Sequence, residues 1–214
     1  MNCPAIRPEL EALPAYMRDL PVDDRGYVVP WFVAYVDGKP EFRAMDNEKW
    51  ISAVKNKRCW VCGKHTGRKL VFVLGPMCGI NRTTSEPPCH EQCARWSARN
   101  CPFLTLRMQR RRENDMPEHV ESAGCPIRRN PGVVLLWFCE RYQVFRDPKG
   151  RPLIEVGDPK RTEWYAHGRT ATREEIEASI NSGLPSLRGL CFTPGDHVGL
   201  DAFIARFHAT VSLD

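Results

Sequence analysis

The 214-residue chain holds no apolar run near the roughly 18 residues a membrane-spanning helix needs. It also holds no internal repeat and no low-complexity tract, which excludes solenoid and fibrous architectures. Residues Met1 to Arg18 carry Glu9, Glu11 and several prolines but no apolar core flanked by basic residues, so they do not read as a signal or transit peptide. The expectation is a cytoplasmic protein with no membrane partner. In that reducing setting disulfides are excluded as the reason for ten cysteines.

A clustered subset of cysteines in such a chain points instead to metal or catalysis. Six of the ten fall between Cys59 and Cys101, namely Cys59, Cys62, Cys78, Cys89, Cys93 and Cys101. CWVCG at 59–63 is a Cys-x2-Cys turn, whose glycine lets the backbone reverse and point two sulfurs at one ion. The helix expected over CHEQCARWSARN, 89–100, offers Cys89 with Cys93 four apart, or His90 with Cys93 three apart, on one face. A helix N-terminus favours thiolates through its dipole and free N–H groups. Zinc takes four such ligands tetrahedrally. The predicted set is Cys59, Cys62, Cys89 and Cys93, chosen because an all-thiolate site is common and Pro87-Pro88 fix the backbone before Cys89. His90, Cys78 and Cys101 are the alternates.

Around this region the pattern is α+β with short antiparallel sheets and a few helices. After an N-terminal arm (1–26), segment 27–103 holds a hairpin over 28–44 turning at Asp37-Gly38, a helix from the Asp46 cap to about Lys57, a strand at 69–74, an irregular stretch 76–88 and the ligand-bearing helix. Residues 104–130 read as a charged linker. Segment 131–214 reads as a β-meander with C-terminal helices: one long strand over 132–146, strands at 152–156 and 162–167, a helix opened by the Thr172–Glu175 capping box and stopped at Gly183-Leu184-Pro185, and a short helix over 200–208.

The net charge is +5, with six arginines and no acidic residue from Ala94 to Arg112. Arg95, Arg99, Arg107, Arg110, Arg111 and Arg112 are therefore candidates for tracking a phosphate backbone, against the plainer reading of a solvated face and charged loop. Asn81, Arg82 and Glu86 are candidates for an anion site or cleft, against local turn bonding.

Knuckle, strand hairpin, then a helix with two ligands in its first turn resembles the treble-clef zinc fold, across residues 58–101. Two enzyme classes are similar in part. Base deaminases share a Pro-Cys start, but here three residues separate the cysteines and no His-x-Glu or Cys-x-Glu precedes them. HNH nucleases use a treble-clef-like scaffold, but the histidine expected on the strand before the helix is absent, His65 directly following the knuckle. The strings RGYVVPWFVAYVDGKPEFR, CWVCG, GPMCGINRTTSEPPCHEQCARWSARNCPF and RNPGVVLLW together resemble an uncharacterised family of bacterial and phage-borne proteins, from about Arg25 to Pro185. That resemblance implies a source and no mechanism. A zinc-stabilised nucleic-acid-binding or regulatory module is favoured over a protein-interaction factor and over a metal-dependent nucleic-acid enzyme.

Overall fold

The computed structural model describes residues 5–105 and 131–213. The charged linker lies almost wholly outside them, as do Arg107, Arg110, Arg111 and Arg112. Among the described residues, no helix is long and apolar enough to cross a membrane.

The hairpin forms at its expected turn. β1 (Val33–Val36) and β2 (Lys39–Met45) are antiparallel, and Asp37 and Gly38 both take left-handed φ, 50° and 75°. That is the twist two-residue hairpin loops require. Asp46 caps α1 (Asn47–Lys55), its carboxylate accepting from the N–H groups of Glu48 and Lys49. Trp50 and Ala53 are its buried residues.

The chain continues through β3 (Leu70–Leu74), α2 (Pro76–Asn81), β4 (Thr83–Thr84), α3 (Glu91–Asn100) and α4 (Pro102–Thr105). After the linker come β5 (Val134–Cys139), β6 (Tyr142–Arg146), β7 (Pro152–Val156), β8 (Arg161–Ala166), β9 (Arg169–Thr170), α5 (Arg173–Arg188) and α6 (Pro194–Thr210). The result is α+β, as expected. One antiparallel sheet has the order β3-β5-β8-β9 and a second the order β4-β7-β6. β5, buried at every position, is the spine of the first. Pairing of β3 with β5 joins the cysteine-rich segment directly to the C-terminal one.

The structure corrects four boundaries. The stretch after Gly75 is helical, not irregular: Pro76 sits at the first helical position, where its missing N–H costs nothing, and buries with Met77, Gly79 and Ile80. The long strand over 132–146 is two strands in different sheets, broken at the exposed pair Glu140-Arg141. α5 runs through Pro185 to Arg188 because Gly183 and Leu187 bury against the core, and the carbonyl that proline strands belongs to exposed Asn181. α6 begins six residues before 200, at Pro194, behind a capping box made by Thr193 and Asp196.

One continuous core extends from Met17 to Val211, with Trp60, Phe72, Trp137 and Phe207 almost entirely buried. α3 packs on β3, β5 and β8. The N-terminal arm is strapped along α3: the Glu11 N–H donates to Asn100 Oδ1 (2.8 Å) and the Trp96 indole donates to the Glu11 carbonyl (3.1 Å). Farther along the arm, Tyr16 reaches His90 at the start of α3, and Met17 is buried in the core.

Candidate metal centre

The knuckle is a tight reversal. The Cys59 N–H donates to the Lys64 carbonyl (2.7 Å), the Gly63 N–H donates to the Cys59 carbonyl (2.8 Å), and Arg58 bridges His65. Gly63 has φ +73°, and a Cβ there would lie 2.7 Å from the Trp31 ring. Only glycine meets both demands. Trp31 is held in place by its own N–H, which donates to the Val61 carbonyl (2.7 Å).

The second ligand segment hangs on two neighbours. Trp60 N–H donates to the Pro88 carbonyl (3.1 Å), and Cys89 exchanges both backbone bonds with Val71 of β3 (2.7 and 3.2 Å). Cys89 is therefore extended, His90 is the N-cap of α3 at φ −65°, ψ 147°, and the helix starts at Glu91. The His90 N–H donates to the Cys59 sulfur (3.3 Å), so the knuckle itself accepts at the helix start.

Four ligand atoms, from Cys59, Cys62, His90 and Cys93, all lie within 4.8 Å of one another, and all four residues are buried. His90 Nδ1 is 3.3 Å from Cys62 Sγ and 3.9 Å from Cys93 Sγ. Zn–S and Zn–N bonds of about 2.3 and 2.0–2.1 Å set tetrahedral edges of about 3.6–3.8 Å, so the donor set fits zinc in number, type and spacing. On its other side His90 Nε2 lies 2.9 Å from the His65 carbonyl. A carbonyl only accepts, so Nε2 carries a hydrogen, and Nδ1 is the nitrogen that faces the sulfurs and offers its lone pair once its proton leaves. Tyr16 stacks on the imidazole at 4.2 Å and 7°.

The structure thus brings together His90, the alternate ligand, in place of Cys89. The reason is the helix boundary. Helical geometry was expected from residue 89, whereas β3 holds Cys89 in extended backbone, and successive side chains there alternate direction. The Cys89 thiol lies outside the four-atom group, though Cys59 still influences its ionisation.

The electrostatics of the protein groups alone ask for a cation. Burial opposes ionisation of Cys59, yet hydrogen bonds from Cys62, Cys89, Cys93 and His90 outweigh it and pull its thiol far below the ordinary range. Hydrogen bonding to Cys59, then burial, pushes the Cys89 thiol up. Hydrogen bonds to Cys59 and Cys62, then burial, push Cys93 up. Burial would lower His90, but the Cys59 and Cys62 sulfurs raise it to about 10. One thiolate is shared among neighbours that hold protons against it, and a divalent ion displaces those protons.

Cys78, on α2, and Cys101, the C-cap of α3, stand apart from the group, with thiols pushed up mainly by burial, that of Cys78 to about 11. Asn81 accepts the Thr83 N–H (3.0 Å), a local turn bond. Buried Arg82 donates to the Val156 carbonyl and to Asp158, with its guanidinium 5.6 Å from the Trp137 ring centre. Exposed Glu86 donates its N–H to Thr84 Oγ1. Arg95 makes a two-pronged pair with Glu163 (2.9 and 2.6 Å) and also meets Glu91, while Arg99 meets Glu11 at 3.0 Å. The α3 arginines thus face carboxylates of the same chain. Sequence reasoning missed Tyr16, 74 residues from the ligand it covers, and the His65 carbonyl; no local pattern marks either. No protein-family model, no curated protein and no solved structure matches the chain.

Proposed function

We propose that this chain is a zinc-stapled binding module, with Cys59, Cys62, His90 and Cys93 holding one structural zinc ion. The observation that carries the reading is the four-atom group, drawn two and two from the knuckle and the start of α3. Zinc supplies neutralisation of the thiolates and a covalent-strength tie between two segments that backbone bonds already bring together. Four protein ligands leave no open position for water or substrate, which favours a structural role over hydrolysis or deamination. Knuckle, β3 and a helix N-terminus support the treble-clef-like reading of the same segment. Protein purified without chelator should carry close to one zinc per chain by elemental analysis; none, in soluble folded protein, overturns the proposal.

A further inference from the structure

Beside the knuckle lies a pocket of about 230 Å³, lined in part by the ligand residue Cys62 and otherwise by residues outside the four-atom group. Tyr16, Trp31 and Tyr35 contribute its aromatic surface, and Lys49, Lys64 and Asp19 its charges. Tyr16 and Tyr35 are 43% and 49% exposed, so ring surface is open to a ligand. Two of the rings are held: Tyr16 by its stack on His90, Trp31 by its backbone bond to Val61 and its close approach to Gly63. The Lys49 ammonium lies 5.7 Å from the centre of the Tyr35 ring, donates to the Val33 carbonyl (3.0 Å) and meets the Asp46 carboxylate at 3.5 Å, a pair that a phosphate must share. Lys64 meets Asp19 at 2.8 Å, a pair whose carboxylate is 81% exposed. An ion pair that open to water holds weakly and exchanges readily for another anion.

We infer that this pocket binds a nucleotide, its base against the tyrosine and tryptophan rings and its phosphate between Lys49 and Lys64. The volume is below that of sites which enclose a whole small molecule, and suits one flat ring whose remainder lies outside. The two chemistries of the lining, π faces and ammonium groups, occur together in a nucleotide. A proline-rich segment supplies the apolar ring without the anion, and an acidic side chain the anion without the ring. Bases of any kind stack on aromatic residues beside basic groups, which gives affinity with little sequence preference. The inference deepens the binding-module reading and depends on it in one respect: Lys64 belongs to the knuckle that the zinc closes.

The test uses the full chain, with zinc content measured on every sample. Fluorescein-labelled rU10 and dT10 are followed by anisotropy, and adenosine and uridine 5′-monophosphates by calorimetry. Saturable binding is expected, weakened at least fivefold in Tyr35→Ala and in Lys64→Glu, and retained in Tyr35→Phe, which keeps the ring. Binding of decamers alone identifies a single strand as the source, and equal binding of monophosphates identifies a free nucleotide. Circular dichroism confirms that Tyr35→Ala is folded, and Lys49→Gln gives an independent variant. Zinc-loaded wild type that binds neither probe up to millimolar concentration overturns the inference. So do unchanged affinities in the variants, or displacement by a proline-rich peptide and not by a monophosphate. A chain that binds the probes but carries no zinc overturns the earlier reading and leaves this one standing.

Discussion

Tyr16 lies flat on His90, ring on ring at 4.2 Å, while the far edge of the imidazole is pinned to the His65 carbonyl. A residue from the N-terminal arm therefore closes the side of the candidate metal centre that the knuckle and α3 leave uncovered. Removing the ring should leave the four ligands in place but loosen His90. Tyr16→Ala should keep about one zinc per chain and lose it to a chelator about 2- to 10-fold faster, from the roughly 0.5–1.5 kcal/mol of an aromatic pair. Tyr16→Phe should behave as wild type. Equal release rates in all three would show that the stack does nothing for the metal.

The assignment of His90 over Cys89 has opposite consequences for two neighbouring variants. His90→Ala should purify with far less than one zinc, while Cys89→Ser should retain it. Elemental analysis of both decides the matter, and the reverse result would reinstate Cys89. Cys59→Ser, which removes the sulfur every other member of the group bonds to, should lose zinc together with much of the fold's stability. Structural zinc contributes on the order of 10 kcal/mol in small modules.

Zinc affinity should rise with pH. In the metal-free protein His90 is raised to about 10, so at neutral pH it holds a proton that zinc must displace, and Cys93 holds another. A raised value means the proton is retained below that pH and lost above it. The affinity should therefore climb through neutrality and flatten no earlier than about pH 10. Calorimetry in two buffers of different ionisation heat at pH 7 should report net proton release; zero release would contradict the shared-proton cluster.

Two buried tryptophans make a matched pair. The Trp137 indole donates to the Gly157 carbonyl (2.8 Å), whereas the Trp60 indole N–H has no partner among the described residues, its ring stacking on Phe32 at 4.9 Å. Each Trp→Phe change removes the same volume from the core. Trp137→Phe also breaks a hydrogen bond, while Trp60→Phe removes an unsatisfied donor. Unfolding free energies from urea titration should place Trp137→Phe below Trp60→Phe by about 1–3 kcal/mol; the opposite order would mean that Trp60 has a partner.

How much of this was legible follows from how local each signal is. The knuckle was readable because CWVCG contains its own geometry, down to the glycine that Trp31 makes obligatory. The hairpin, the Asp46 cap and the Thr172 capping box were readable for the same reason. The second ligand pair was readable only as a choice, because moving a helix start by two residues exchanges Cys89 for His90, and strand β3, not the helix sequence, sets that start. Helix α2 was hidden because PMCGIN is too short for periodicity and holds two residues that usually break helices, Pro76 and Gly79. The α6 cap was present in the sequence as Thr193 and Asp196 but lay outside the apolar stretch that drew the reading to 200–208. The ion pairs of Arg95 and Arg99 reach residues 68 and 88 positions away, so charge alone read as an open basic face.

The backbone ladder between Cys89 and Val71 also orders events in time. Cys59 and Cys62 are three positions apart, and the bonds that reverse the chain at their turn, Gly63 to Cys59 and Cys59 to Lys64, are local. His90 and Cys93 reach them only across a span of about thirty residues, and their approach is guided by β3, itself seated on β5 beyond the linker. Closing the longer spans costs more chain entropy than closing the knuckle. The expected order is therefore that the knuckle turns first and that the His90–Cys93 pair settles once residues 134–139 have paired with β3. If the group holds zinc as proposed, the expected consequence is a stage of synthesis in which only half of the ligands are in place, testable by zinc content of a chain truncated before residue 134.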